Sequence, residues 1–283
     1  MASIRTLSSA LGCAVSGIAV GEETSGADLQ AVEAALDEHC VVVLPGQTLT
    51  PQGFVSFARR FGRPEPHVID QYHHPAAADI LILSNQQHAG RNIGLLDGGS
   101  YFHSDYAYLD VPSRCTMLYA IQITQEGVGT TFANLRAAYD DLPAATKARI
   151  DPLVCRHHYG NRDDLDETSR TVASVLSDDQ KKKMSWVRHP LVRKHPRTGR
   201  KALYAVSGSS FGIEGMDDKE GVALLDDLKR HATQPQYLHR YDYQVGDVVI
   251  WDNCSLLHAA PLTDMTKPRT LWRITVKDKG PTL

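Results

Sequence analysis

From Ile80 onward, short runs of β-branched, aromatic and other apolar residues alternate with turn residues, a pattern typical of antiparallel strands. The turn Arg197-Thr198-Gly199-Arg200 joins two of these runs, and its glycine is placed for a positive φ. So many short strands favour a mainly β fold with flanking helices, arranged as a double-sheet jelly roll. The predicted strands are 114–123, 154–159, 187–195, 201–206, 237–243, 247–251 and 269–276.

Three helices are predicted around these strands. Ser25 is a capping residue that precedes apolar residues at helical spacing, and the β-branched run 40–44 that follows predicts a strand. Thr50-Pro51 marks the start of a second helix, and Gly62 marks its end. A third helix is predicted over 217–232. The side chains that the first two helices are expected to place in the core are Leu29, Val32, Leu36, Phe54, Phe57 and Phe61.

The bulk composition is that of a globular protein with a sizeable core. With 42% hydrophobic and 22% charged residues, we expect residues 1–283 to form a single domain. A net charge of −3 gives no electrostatic case for nucleic acid or an anionic membrane as a partner.

The cysteines and the apolar runs bear on location. Five dispersed cysteines without a Cys-x-x-Cys pair argue against a disulfide framework or a zinc ribbon. No apolar run reaches the roughly 18 residues that a membrane-spanning helix needs. The mildly apolar stretch 7–20 is broken by serines and glycines, so it is interpreted as a strand with a turn rather than a secretion signal. A cytoplasmic protein is therefore predicted.

Residues 161–185 differ in composition from the rest of the chain. They carry charged runs and few large apolar side chains. One interpretation is a solvated loop; the other is a mobile insertion that covers an active site. The sequence leaves both open.

Two histidines and one aspartate are placed to hold a metal ion on one face. On a strand, His103 and Asp105 point to the same side while Ser104 faces away. His258 follows an apolar strand and supplies a third ligand. Three such ligands leave about three of six octahedral positions open, which suits non-haem ferrous iron better than a closed zinc site. We therefore predict that His103, Asp105 and His258 bind Fe(II).

Two arginines follow the last of these ligands on a predicted strand. Arg269 and Arg273 are four residues apart there, so they should face the same side. A 2-oxo acid can fill two open metal positions through its 1-carboxylate and keto oxygen, and dioxygen can take the third. The planar guanidinium of Arg269 can then hold the far carboxylate bidentately, and Thr130 can add a hydroxyl donor.

The remaining histidines and Cys254 are weaker candidates for metal ligands or catalytic residues. Adjacent residues on a strand point to opposite faces, so His73-His74 and His157-His158 are interpreted as surface or loop residues. Cys254 has no orienting group for a nucleophile and is interpreted as a small buried side chain. The histidines without a partner at ligand spacing are His39, His88, His189, His195, His231 and His239.

Over nearly its whole length the chain resembles the iron(II)/2-oxoglutarate dioxygenases typified by taurine dioxygenase and 2,4-dichlorophenoxyacetate dioxygenase. The resemblance lies in the His-x-Asp pair, in Gly129-Thr130 leading into 135–143, in the hairpin 195–201 and in 246–253 before His258. It implies a double-stranded β-helix (cupin-like) core and a homodimer or homotetramer. It also implies the iron ligands given above, Thr130 and Arg269 as 2-oxoglutarate anchors, and Arg273 facing the acidic group of the prime substrate.

The chain departs from the family next to the metal motif. Phe102 stands where tryptophan is usual, and Gly99 stands where taurine dioxygenase has an asparagine that helps bind its substrate. The aromatic side chains around the motif, Phe102 and Tyr106 among them, suit a flat or bulky apolar substrate with an acidic end; ordinary strand packing is the other interpretation.

The function expected is a dioxygenase that couples oxidative decarboxylation of 2-oxoglutarate, to succinate and CO2, with hydroxylation of a small anionic molecule. A sulfonate, sulfate ester or aryloxyalkanoate would be cleaved after hydroxylation. One alternative keeps the iron core and hydroxylates or desaturates an amino acid or biosynthetic intermediate, because the fold does not fix the substrate. The other is a metal-binding sensor without turnover.

Overall fold

A computed structural model describes residues 2–96, 99–124, 128–159, 179, 185–206 and 209–277. Within those residues, no helix is both long and apolar enough to cross a membrane. The α-helices there are α1 (Gly26–His39), α2 (Pro51–Phe61), α3 (Leu135–Asp140), α4 (Ala144–Ile150) and α5 (Asp218–Ala232).

Strands outnumber helices in the described part of the chain. They are β1 (Ser3–Thr6), β2 (Cys13–Ser16), β3 (Val41–Leu44), β4 (Arg63–Pro64), β5 (His73–His74), β6 (Ala77–Ser84), β7 (Gln87–His88), β8 (Arg91–Asn92), β9 (Ser113–Ile123), β10 (Gly129–Asn134), β11 (Val154–His157), β12 (Val187–Pro190), β13 (Val192–Lys194), β14 (Lys201–Leu203), β15 (Ser210–Ile213), β16 (Leu238–Asp242), β17 (Val248–Asp252), β18 (Leu256–Ala259) and β19 (Arg269–Lys277).

The predicted helices form where their capping residues place them. The side chain of Ser25 accepts a hydrogen bond from Asp28 N at the start of α1, and that of Thr50 accepts one from Gly53 N at the start of α2. Pro51 follows at the first position of α2, where its missing N–H costs nothing. The three helix predictions are confirmed, with Asp217 as the cap rather than the first residue of α5.

The strands assemble into one large sheet and several smaller ones. The large sheet runs β1-β2-β3-β17-β9-β19-β6-β5, with β4 paired to β19. A second sheet runs β16-β10-β18, and a third runs β12-β11-β15. Most pairings are antiparallel, while β2 and β3 pair in parallel. This is a mainly β fold, as the strand pattern predicts.

Strands at the centre of the large sheet are buried on both faces. In β3, Val42 and Leu44 pack in an outer cluster with α1 and α2, whereas Val41 and Val43 pack in an inner cluster. The inner cluster also holds Phe132 of the second sheet, so it lies between the two sheets. This inner space is the interior of the jelly roll.

The predicted strand 187–195 is wrong as a single element, since it divides at Leu191 into β12 and β13. The predicted insertion 161–185 lies outside the described residues except at 179 and 185.

Candidate metal centre and co-substrate pocket

His103 and His258 are brought side by side by backbone hydrogen bonds. His258 lies within β18, and His103 forms an isolated bridge with it. His103 N–H donates to His258 O over 3.0 Å, and His258 N–H donates to His103 O over 2.8 Å. Because residues of such a pair project to the same face, the two imidazoles lie with their centroids 4.2 Å apart.

Asp105 reaches the two histidines from a turn. The expectation of a regular strand over His103 and Asp105 is wrong, since Asp105 begins a turn that ends near Tyr108. Two hydrogen bonds anchor this segment: Ser104 Oγ donates to Leu256 O over 2.9 Å, and Ser113 Oγ donates to Asp105 O over 2.6 Å. Ser104 faces away from the site, so the predicted convergence holds although its backbone cause differs.

The three side chains present their donor atoms to one point. Asp105 Oδ1 lies 3.5 Å from His103 Nε2, and Asp105 Oδ2 lies 3.6 Å from His258 Nε2. One donor atom from each residue falls within 4.8 Å of the others. This spacing fits a single ion with bonds of about 2 Å to each donor.

The ionisation states of these groups favour metal binding. Burial opposes ionisation of Asp105, but the Arg273 guanidinium and the two imidazoles outweigh it and hold the pKa of that carboxyl well below its ordinary value. Burial, with His103 beside it, lowers the pKa of His258 far below its usual range. His103 Nδ1–H donates to Tyr101 O over 2.8 Å, which orients the ring so that its Nε2 faces Asp105. The site therefore offers the carboxylate of Asp105 and the neutral imidazole of His258.

A chain of hydrogen bonds orients the carboxylate from behind. Thr116 Oγ1 donates to Asp105 Oδ2 over 2.6 Å and accepts from Asn253 Nδ2 over 2.9 Å. Asn253 Oδ1 accepts from Trp251 Nε1 over 3.1 Å. Sequence reasoning missed the role of Thr116, which comes from β9. The only sequence signal for this chain of hydrogen bonds was Asn253, which lies in the motif before His258.

Gly99 covers the ring of His103. Its φ is +87°, and a Cβ added there would lie 2.0 Å from His103 Cε1. Gly99 O accepts a hydrogen bond from Ala260 N over 2.9 Å, which fixes the segment against the end of β18. A side chain at this position is incompatible with the observed place of the imidazole.

A second polar group lies on the same inner face as the metal centre. Leu271, between Arg269 and Arg273, packs in the inner cluster, so both arginines lie on the inner side of β19, and the prediction that they share one side is confirmed. Arg269 Nη1 donates to Thr263 Oγ1 over 2.5 Å, and Thr263 Oγ1 donates to Leu96 O over 3.1 Å. This fixes the buried guanidinium.

Thr130 and the Arg269 guanidinium are both neighbours of Tyr243, a residue that the sequence did not single out. Thr130 Oγ1 forms a hydrogen bond with Tyr243 Oη, and both side chains are buried. Burial raises the pKa of Tyr243, and the neighbouring Arg269 guanidinium acts in the opposite direction. Both predicted anchors, Thr130 and Arg269, therefore lie near Tyr243.

Arg273 and Tyr106 border the other side of the metal centre. Arg273 Nη2 lies 2.5 Å from Asp105 Oδ1, and its guanidinium carbon lies 5.8 Å from the centroid of Tyr106. Tyr106 is buried with a φ of 56°. The rings of Tyr108 and Tyr159 lie 4.3 Å apart beside it.

His67 and Phe102 lie at the edges of this region. Burial, with the Arg273 guanidinium beside it, lowers the pKa of His67 to about 3. Its Nδ1 accepts from Ile69 N over 3.1 Å, so the proton of the neutral ring is on Nε2. Phe102 packs against the apolar cluster that contains Leu135 and Leu257, so its predicted contact with substrate stays a prediction.

Two predictions about the other histidines are wrong. His157 is fully buried in β11, the middle strand of its sheet, and is neither a surface nor a loop residue. His195 has a partner, since its Nε2 lies 3.2 Å from Asp252 Oδ2. Cys254 is buried, as predicted, and joins these two in a group with donor atoms at metal-binding distances.

That second group is held by hydrogen bonds of its own. His195 Nδ1 accepts from the backbone N–H of Arg197 and of Thr198, so His195 Nε2 carries the proton that it donates to Asp252. Asp252 also accepts from Cys254 N over 2.9 Å and from Ser255 Oγ. These bonds fix the turn between β17 and β18, and hence the strand that carries His258.

Comparison with known proteins identifies the class. The sequence matches the family described as "Taurine catabolism dioxygenase TauD, TfdA family" over residues 4–275. It is 34% identical over 272 residues to the alpha-ketoglutarate-dependent 2,4-dichlorophenoxyacetate dioxygenase of Burkholderia sp. (strain RASC), covering 92% of this chain and 89% of that protein. It is 30% identical to pentalenolactone F synthase of Streptomyces arenae, covering 93% and 91%.

A solved structure has the same fold. The crystal structure of AAD-2 in complex with Mn(II) and N-oxalylglycine superposes with a TM-score of 0.81 at 30% identity, covering all of both chains. The prediction of a jelly-roll core is confirmed.

The chain belongs to the TauD/TfdA family of dioxygenases. It is an oxidoreductase that uses Fe(II), 2-oxoglutarate and O2, and the predicted enzyme class and cofactors are confirmed.

Proposed function

We propose that His103, Asp105 and His258 bind the iron of this dioxygenase, and that Arg269 and Thr130 hold the distal carboxylate of 2-oxoglutarate. The observation that carries the proposal is the convergence of the three donors, with one atom of each within 4.8 Å of the others. Asp105 is held as a carboxylate and His258 as a neutral imidazole, the forms in which both residues ligate metals.

Each residue around the centre has a positioning task. Bound iron supplies the activation of dioxygen that oxidative decarboxylation requires. Thr116 and Asn253 orient the carboxylate of Asp105, and the Tyr101 carbonyl fixes the tautomer of His103. Thr263 orients Arg269. The burial of these groups keeps water away from the reaction.

The reaction converts 2-oxoglutarate to succinate and CO2 while the second substrate is hydroxylated. We propose a small anionic organic molecule as that substrate, with its acidic group facing Arg273. Hydroxylation of a carbon that carries an aryl ether, a sulfonate or a sulfate ester gives an unstable product, so the outcome is cleavage.

The side chains around Arg273 support an acid with an aromatic or apolar body. Neutral His67 has a proton on Nε2, so the acidic group meets one cation and one neutral donor. The rings of Tyr106, Tyr108 and Tyr159 form an aromatic wall beside the cation. Among the substrate classes above we therefore favour an aryloxyalkanoate, the class to which the substrate named for the Burkholderia relative belongs.

A second candidate keeps the same iron core. The 30% identity to pentalenolactone F synthase favours hydroxylation or desaturation of a biosynthetic intermediate or amino acid as the alternative reaction.

A substrate panel tests the proposal and separates the two candidates. Succinate formation and product are measured with an aryloxyacetate, its neutral amide, an alkyl sulfate, a sulfonate and amino acids. We expect the aryloxyacetate to be turned over and the amide to be inert. Arg273→Gln should lose turnover of the acid while slow, substrate-independent 2-oxoglutarate decarboxylation persists. Equal use of the acid and the amide would contradict the anionic assignment.

We also propose that the protein works in the cytoplasm as a homodimer or homotetramer. All five cysteines are buried thiols outside any disulfide bond, which supports a reducing compartment. Light scattering of the purified protein tests the assembly, and a monomeric mass would contradict it. The single-domain organisation and the covering role of 161–185 stay predictions.

A further inference from the structure

Tyr243 directly follows β16 of the second sheet and lies near Arg269, the first residue of β19. Its backbone N–H donates to Val128 O over 2.8 Å, just before β10 begins. Its hydroxyl forms a hydrogen bond with Thr130 Oγ1, and the phenol is only 4% exposed. The strand pairing of β10 with β16 therefore delivers two hydroxyls to one buried position.

The hydroxyls of Thr130 and Tyr243 together have one proton more than their mutual hydrogen bond uses. Each carries one proton, and their mutual hydrogen bond uses one of the two. The second O–H is left to donate to another acceptor. Burial raises the pKa of Tyr243, so the phenol is a neutral donor throughout the neutral range.

The positive charge of Arg269 indicates which kind of acceptor would bind the remaining O–H of Thr130 and Tyr243. The Arg269 guanidinium is close enough to act on the pKa of Tyr243, and it is fixed by Thr263. A buried cation beside two hydroxyls matches a carboxylate, which accepts several hydrogen bonds through its two oxygens. An uncharged alkyl end would leave the remaining hydroxyl proton buried without an acceptor, which disfavours binding of such a molecule.

We propose that Tyr243 is a specificity-determining residue: the hydrogen-bonded pair of Tyr243 and Thr130 donates its remaining O–H to the distal carboxylate of the oxo acid and so selects a dicarboxylic over a monocarboxylic co-substrate. The inference rests on the proposed assignment of Thr130 and Arg269. It adds a residue two positions from Tyr241, whose hydroxyl instead donates to Asp247 Oδ2 over 2.7 Å. Tyr241 is thus a matched control.

Calorimetric titration of the Mn(II)-loaded protein tests the inference without turnover. Wild type, Tyr243→Phe and Tyr241→Phe are each titrated with 2-oxoglutarate and with 2-oxopentanoate, which has the same length but lacks the second carboxylate. We expect Tyr243→Phe to weaken 2-oxoglutarate binding about tenfold to a hundredfold, since one hydrogen bond to a charged group is lost. Binding of 2-oxopentanoate should be unchanged, and Tyr241→Phe should match wild type with both.

The other outcomes overturn the inference in distinguishable ways. If Tyr243→Phe weakens both oxo acids equally, the residue is merely structural. If it weakens neither, or if Tyr241→Phe has the same selective effect, the phenol of Tyr243 is not the selecting donor. If the wild type does not prefer 2-oxoglutarate to 2-oxopentanoate, the assignment of Arg269 and Thr130 fails as well.

Discussion

Arg273 Nη2 lies 2.5 Å from Asp105 Oδ1, so one carboxylate serves both a guanidinium and the proposed metal centre. Both side chains are almost fully buried. Removing one partner of such a pair leaves the other as an uncompensated buried charge. The stability of the metal-free protein and the affinity for metal are therefore coupled through Asp105.

Arg273→Gln should destabilise the metal-free protein by about 3–5 kcal/mol, because Asp105 loses its strongest counter-charge. A bound divalent ion replaces that charge, so metal should stabilise the variant more than it stabilises wild type. Denaturant unfolding with and without Mn(II) measures both effects. Arg59→Gln, which breaks an exposed pair with Asp79, is the control and should cost less than about 1 kcal/mol. An equal gain from Mn(II) in wild type and Arg273→Gln would refute the coupling.

Thr116→Val should weaken metal binding about 10- to 100-fold, because the hydroxyl that orients Asp105 over 2.6 Å is lost. The matched control is Thr275→Val, since Thr275 Oγ1 contacts Thr116 Oγ1 over 3.2 Å, one step further from the carboxylate. Metal affinity is measured by competition with a chelator. If both variants bind metal equally, the hydroxyl of Thr116 has no orienting role.

Gly99→Ala should abolish tight metal binding, because the new Cβ would lie 2.0 Å from His103 Cε1 and displace the ring. Gly46→Ala separates this clash from backbone strain. Gly46 also has a positive φ, of 67°, but apart from its two neighbours in the chain no described residue has an atom within 4 Å of the added Cβ. The control should lose some stability and keep its metal affinity. Wild-type affinity in Gly99→Ala would contradict the observed packing.

His157 should make the protein sensitive to acid. Burial, with His189 beside it, lowers the pKa of His157 to about 3, whereas an unfolded histidine titrates near 6.5. The unfolded chain therefore binds more protons between these values, and stability falls as pH falls through that window.

For His157 the loss between pH 7 and pH 5 amounts to about 2 kcal/mol. His157→Gln should remove this part of the decline in the free energy of unfolding, measured at both pH values. His158→Gln, at the next and more exposed position, should decline like wild type. A decline in His157→Gln as steep as in wild type would show that this imidazole is not held neutral.

The sequence alone predicted those site residues that are close to one another in the chain. His103 and Asp105 are two residues apart in the chain, so their convergence was predicted although the assumed strand was wrong. Arg269 and Arg273 share one strand face, and for them periodicity sufficed. The turn at Asp105 was not predicted, because a strand and a turn can both bring these two side chains to one point. The helix starts at Ser25 and Thr50 followed from their capping chemistry.

The missed residues depend on contacts between distant strands. Thr116 meets Asp105 and Asn253 only because β9 pairs with β17 in one register. Tyr243 meets Thr130 through the pairing of β16 with β10. His157 is buried because other elements cover the middle strand of its sheet. Sequence periodicity does not specify such registers or the layer that covers a strand.

We propose above all that His103, Asp105 and His258 hold one ferrous ion beside the 2-oxo acid. The most direct test is an anaerobic titration with Fe(II) and 2-oxoglutarate, followed by visible absorption. Wild type and His157→Gln should develop the charge-transfer band of the chelated iron, and a His103→Ala, Asp105→Ala double variant should not. A band of wild-type intensity in the double variant, with succinate still formed in air, would contradict the assignment.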